Sequence, residues 1–262
     1  MKTLIGIFVF MILGCTAFSC HAETSSADIG VLRLAISTHS DEQVPKVMNK
    51  DIKKLTSIFS EIVDNCNNFG RSWRNLKLGQ DAFAEMTVNL PLRVKGELTP
   101  YTRIVLLNKM LECIPQRDCP RFILKVREYQ ESMFPLISEE DVAEDMDIDG
   151  FTGDAKDYRH CFTKDDLIEL KQKTIDYLNP AMSMEEWCRK YDCHLLFDDI
   201  ERSAEWEAEI YDVEKEVARK MRGVKFRMGY CFEYWSTKKS VLARHGIDWR
   251  SPSSMNPTVM FD

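Results

Sequence analysis

Residues 44–66 read VPKVMNKDIKKLTSIFSEIVDNC, and this stretch decides the fold class. Val44, Val47, Met48, Ile52, Leu55, Ile58, Phe59, Ile62, Val63 and Cys66 recur at three- and four-residue steps, with lysines and acids between them. That is the period of a helix with one face turned to a core. Asn67, Asn68 and Gly70 then supply a stop.

The same pattern recurs downstream. Thr99-Pro100 has the cap-then-proline order of a helix start, and Ile104, Leu107, Met110 and Leu111 line one face as far as Pro115. Pro120 starts the next helix, which carries Phe122, Ile123, Val126, Tyr129 and Met133 up to Pro135. Thr163 opens another, with Asp166 three residues on, and Asn179-Pro180 closes it. Ser183-Met184-Glu185-Glu186 is a capping box, in which the Ser and Glu side chains satisfy each other's orphan backbone donors. Residues 203–222 put Trp206, Ile210, Val213, Val217 and Met221 on one stripe, and a last helix is predicted from Tyr230 to Gly246.

Two stretches break the helical period. Met86, Val88, Leu90, Leu92 and Val94 alternate along the chain, as do Val224, Phe226 and Met228. Alternation predicts strands, with Pro91 confining the first to an edge, so residues 86–94 and 224–228 are expected as a minor β element; residues 31–36 offer a third strand. The expected fold is mostly α, an antiparallel-type helical bundle. Residues 23–262 are expected as a single helical domain, with the acidic segment 139–157 as the best candidate subdivision.

At 262 residues and 44% hydrophobic, the chain has enough apolar material for a substantial core, which excludes a disordered class. Thirty-five bases against 42 acids give a net charge of −7, a poor basis for nucleic-acid binding. Residues 1–22 read as an export signal: Lys2 is the positive end, Leu4 to Leu13 the apolar run, and Ala22 the small residue at the cleavage site. Ile12-Leu13-Gly14-Cys15 also has the order of a lipoprotein box, with Cys15 as the lipidated residue. The expected location is periplasmic or secreted, or alternatively membrane-anchored through Cys15. No integral span is expected after signal cleavage.

The acidic segment carries the most specific motif. Asp145-Met146-Asp147-Ile148-Asp149-Gly150 places carboxylates at alternate positions before a glycine, which lets three of them converge on one hard cation. Over this half-loop it resembles the EF-hand family, and the resemblance implies a calcium site at Asp145, Asp147 and Asp149. At the twelfth loop position, where the family has a bidentate Glu, stands Lys156; Asp154 and Asp157 flank it out of register, and Asp154 is the further acid of the expected site. The plainer reading is a solvated acidic loop with no cofactor. From Glu139 to Ala155 there are eight acids and no base, whereas Lys215, Arg219, Lys220, Arg222, Lys225 and Arg227 form a basic counterpart.

In an oxidising compartment cysteines pair with one another by default. Cys113 and Cys119 flank a turn that contains Pro115 and are expected to form a local disulfide. A Cys188–Cys193 bridge needs a helix break after Cys188. Cysteine–histidine catalysis has little support, because Cys193-His194 and His160-Cys161 are adjacent in sequence and their side chains diverge on a helix. The tail from Trp249 to Asp262 is expected as an extended segment packed back on the fold, its two prolines opposing a helix.

No motif names a reaction. The expected function is macromolecular binding by an exported protein, as an inhibitor, an immunity-type antagonist or an assembly factor, with another protein or an envelope component as partner. The rival readings are a cell-envelope hydrolase using carboxylates and a calcium-dependent binding module.

Overall fold

The computed structural model describes residues 46–94, 98–138, 141 and 163–261. The fold is mostly helical, consistent with a helical bundle, and nine α-helices lie among the described residues. They are α1 (Lys46–Phe69), α2 (Asn75–Ala84), α3 (Pro100–Glu112), α4 (Pro120–Met133), α5 (Lys164–Leu178), α6 (Met184–Lys190), α7 (Ala204–Lys220), α8 (Tyr230–Arg244) and α9 (Pro252–Met255). Residues 1–36, with the export signal, Cys15 and the third strand expected at 31–36, lie outside the described residues. So do Asp145, Asp147, Asp149 and Asp154.

The chain divides into two compact units. One contains the described residues of 46–114 and 122–172, the other 115–121 and 173–261. In the first, α1 packs against α2 and α3 and buries Ile52, Leu55, Phe59 and Ile62. Helix α2 was not expected from the sequence: Arg74 at its N-cap makes no side-chain cap, and it contains Gly79. The glycine is there for close approach, since a Cβ at Gly79 would lie 2.5 Å from Ile114 Cδ1. Asn75, fully buried, donates from one amide nitrogen to the carbonyls of Ile62 (3.0 Å) and Cys113 (3.1 Å), tying α1 to the end of α3.

The strand expected at 86–94 is replaced by something else. Glu85–Asn89 continues α2 as a π-helical turn, and among the described residues the only pairing in the stretch is one antiparallel bridge between Val94 and Leu98. Met86, Leu90 and Val94 are buried while Val88 is 79% and Leu92 42% exposed. The operative spacing is therefore four, and the alternation was a by-product of apolar residues at the intervening positions. The carbonyls freed here are taken by Arg103, which donates to Met86 (2.5 Å), Leu92 (3.0 Å) and Pro91. A side chain does the work of a partner strand.

In the second unit α7 packs against α8. The sequence caps are realised: Ser183 and Glu186 form the full capping box, and Ser203 accepts from the Trp206 amide. Residues 224–228 form no strand; Val224 donates back to Met221 in a turn, and Phe226 and Met228 are exposed. The proline-rich tail holds a short helix after all. Pro252 stands at its first position, where a missing N–H costs nothing, and Ser251 caps it.

Candidate functional site

Charged residues are rarely buried unless paired, and the second unit buries several together. Glu201 and Glu214 are each 6% exposed and Lys238 is 8% exposed. Glu214 comes from α7 and Lys238 from α8, and their charged groups meet at 2.6 Å. The Tyr234 hydroxyl donates to the same carboxylate at 2.7 Å. Two indoles complete the arrangement. Trp206 donates from Nε1 to Asp118 (3.2 Å) and Trp249 from Nε1 to Glu201 (2.8 Å), and the Lys238 ammonium lies 4.8 Å and 5.4 Å from the centres of their rings. Each tryptophan thus gives its face to a cation and its edge to an anion.

Burial pushes the Asp118 carboxyl above the usual carboxylate range, with Lys238 pulling the other way. Burial does the same to Glu201 against the pull of Arg117 and Lys238. Burial also works against the Lys238 charge, but Glu214, Asp118 and Glu201 outweigh it and hold the ammonium above the ordinary lysine range. Asp118 and Glu201 therefore each take up a proton more readily than a carboxyl in water does. The Tyr177 hydroxyl and Arg117 Nη1 are buried and have no hydrogen-bond partner among the described residues.

A carboxyl whose folded pKa exceeds its unfolded one contributes stability that is complete below the unfolded value and is lost as pH rises through the folded one. Glu201→Gln keeps the acceptor for Trp249 and removes that dependence. In urea unfolding between about pH 4 and pH 8, the variant should match or exceed the wild type at neutral pH and fall below it in acid. A constant offset between the two would show that Glu201 does not titrate in this way.

The second candidate is a surface. Met228 is 87% exposed, Phe226 54% and Phe232 46%, and Lys225 and Arg222 are exposed beside them. Arg227 pairs with Glu233 at 2.5 Å, which fixes the 224–229 turn on the first turn of α8. The turn ends at Gly229, whose φ of +82 is one that L side chains rarely adopt. Phe226 lies tilted against Tyr230 with ring centres 5.0 Å apart, Phe232 meets Trp235 edge-on at 5.6 Å, and Trp235 meets Phe261 edge-on at 5.1 Å. Phe232 is thus linked through the buried Trp235 to Phe261 in the chain's C-terminal segment, beside which Met260 is 95% exposed. Exposed apolar residues grouped in this way mark interaction sites more often than scattered ones do.

The basic segment is only partly available, because Arg219, Lys220 and Arg244 all turn to Glu216. Of the acidic segment only Asp141 is described: it is buried, bound by Arg93 and by the Ser138 amide (2.8 Å). The tail packs on its own unit as expected. Asn256 bonds to the amide and carbonyl of Leu196 at 2.8 and 2.9 Å, and Trp249 is 2% exposed.

The expected Cys113–Cys119 disulfide is not present: the Cys113 thiol contacts Cys66 instead, and Cys119 points at the Pro115 carbonyl at 3.8 Å. The break that a Cys188–Cys193 bridge requires is there, with Asp192 at φ +51, and both thiols converge on the Leu195 carbonyl at 3.4 and 3.5 Å. No disulfide joins cysteines among the described residues. His245 is held by Glu209 at 2.7 Å.

None of the charged residues of the buried cluster was singled out from sequence, although a signal was present. Lys238 interrupts the stripe of Cys231, Trp235 and Leu242, and Glu214 that of Ile210 and Val217, in each case at helical spacing. Among the described residues no group of histidines, cysteines and acids could hold a metal ion, and no helix is long and apolar enough to cross a membrane. Comparison with family models, curated proteins and solved structures finds no match.

Proposed function

We propose that this is an exported protein that works by binding another macromolecule, and that the contact is made by the apolar strip of Phe226, Met228 and Phe232 with Lys225 and Arg222 at its edge. The observation that carries the reading is the exposure of three large apolar side chains in one turn-and-helix junction, held there by the Arg227–Glu233 pair. The basic rim selects an acidic partner segment, and the partner's own apolar side chains cover the strip. Export rests on the pattern of residues 1–22.

The test uses the full chain and a Phe226→Ala/Met228→Asp/Phe232→Ala variant as matched baits in envelope extract. A protein retained by the wild type should be lost by the variant, with affinity for the purified partner falling at least tenfold, as removal of central anchors does. Its association rate should drop steeply between low and physiological salt. Identical capture by both baits, with equal affinity, would overturn the assignment.

One observation favours the hydrolase as a second reading: Asp118, Glu201 and Glu214 supply the carboxylates that the sequence could not locate. Glu201 and Glu214 are each only 6% exposed, out of reach of a polymer, and this is why binding is the conclusion. Hydrolysis of a cell-wall or glycan substrate that disappears in Glu201→Gln would reverse the order of the two.

A further inference from the structure

We propose that Cys66 and Cys113 are a redox pair that closes a disulfide between the end of α1 and the residue capping α3. The two thiols are in hydrogen-bond contact, and the backbone around them is already fixed. The Asn75 amide holds Cys113 and the turn before Cys66 together, Arg71 Nε donates to the Glu112 carbonyl at 3.1 Å, and the Ser72 amide donates to the Cys113 carbonyl. A bridge here needs the two sulfurs to approach to about 2.05 Å, within the usual Cα separation of about 4.4–6.8 Å. The pairing is independent of the proposed binding surface.

The two sulfurs are not equivalent. Cys66 is half-buried and Cys113 buried. The Cys113 thiol donating to it, helped by Arg71, holds Cys66 below the ordinary thiol range against the effect of burial. Cys113 is pushed up by its contact with Cys66 and by burial. Cys66 is therefore the attacking thiolate and Cys113 the resolving thiol. With a disulfide as oxidant, the Cys66 thiolate attacks one of its sulfurs and expels the other as a thiolate, leaving a mixed disulfide on Cys66. Cys113 then loses its proton and attacks Cys66 Sγ, expelling the second thiol of the oxidant. Two protein thiols become one disulfide, and the oxidant is reduced to two thiols.

The probe is oxidised glutathione on the native full chain, followed by alkylation and non-reducing peptide mapping. The expected product is a linked peptide containing Cys66 and Cys113, with thermal melting raised by roughly 5–15 °C over the reduced protein. Cys113→Ser should trap glutathione on Cys66, whereas Cys66→Ser should leave Cys113 unmodified on the same timescale. The proposal is overturned if both wild-type thiols remain alkylatable after oxidation, if either is joined to another cysteine, or if Cys113 takes the adduct as fast as Cys66.

Discussion

Lys238→Met is expected to destabilise the protein by about 3–5 kcal/mol, the cost of removing one partner from a buried ion pair. Methionine keeps the length and apolar stem of the lysine, so the loss is electrostatic rather than a cavity. Glu214, 6% exposed, would keep Tyr234 alone as a hydrogen-bond partner among the described residues, and Asp118 and Glu201 would lose one of the cations that oppose their burial. The faces of Trp206 and Trp249 would lose the ammonium as well. Urea midpoints at neutral pH measure the loss. Adding Glu214→Gln should recover a large part of it, because a neutral amide needs no counter-charge, and the double-mutant cycle then reads the coupling directly. A single variant within about 1 kcal/mol of wild type would mean that the ion pair contributes no more than an exposed one.

Arg103→Met should cost a similar amount, about 3–5 kcal/mol, in the other unit. Arg103 is fully buried and is the donor for the carbonyls of Met86, Pro91 and Leu92, with a further bond to the Tyr129 hydroxyl at 3.1 Å. The Met86 carbonyl, whose bond is buried, carries about 1–3 kcal/mol of desolvation when left without a donor, the part-buried Pro91 and Leu92 carbonyls carry less, and the three are not additive because the loop relaxes as a whole. Tyr129→Phe is the control. It removes one bond and leaves the three carbonyls satisfied, so it should cost about 1 kcal/mol. Hydrogen exchange should localise the Arg103→Met effect to residues 86–94, with α1 protected longer. Uniform loss of protection would place the role of Arg103 elsewhere.

The helices were legible because what makes them is local. Thr99-Pro100, the Ser183–Glu186 box and the Thr163–Asp166 pair are contacts within four residues of one another, and apolar stripes at steps of three and four need no knowledge of a partner. Helix α2 escaped because Gly79 lowers helix propensity for the sake of a neighbour remote in sequence, Ile114. The strand expected at 86–94 fell to the same kind of cause. Its alternation was real, but a strand needs a partner ladder, and Arg103, reached through a different helix, met the backbone's demand instead.

The buried cluster is the strongest case. Asp118 and Glu201 sit in short 3-10 turns with no period to betray them, and a glutamate or lysine on a helix looks the same in sequence whether it faces water or another helix. Composition and periodicity determined a helical protein with its core on particular faces. Which charges that core enclosed, and which thiols came together, was decided by tertiary packing, because desolvation and Coulomb attraction depend on distances between residues that the chain order does not contain.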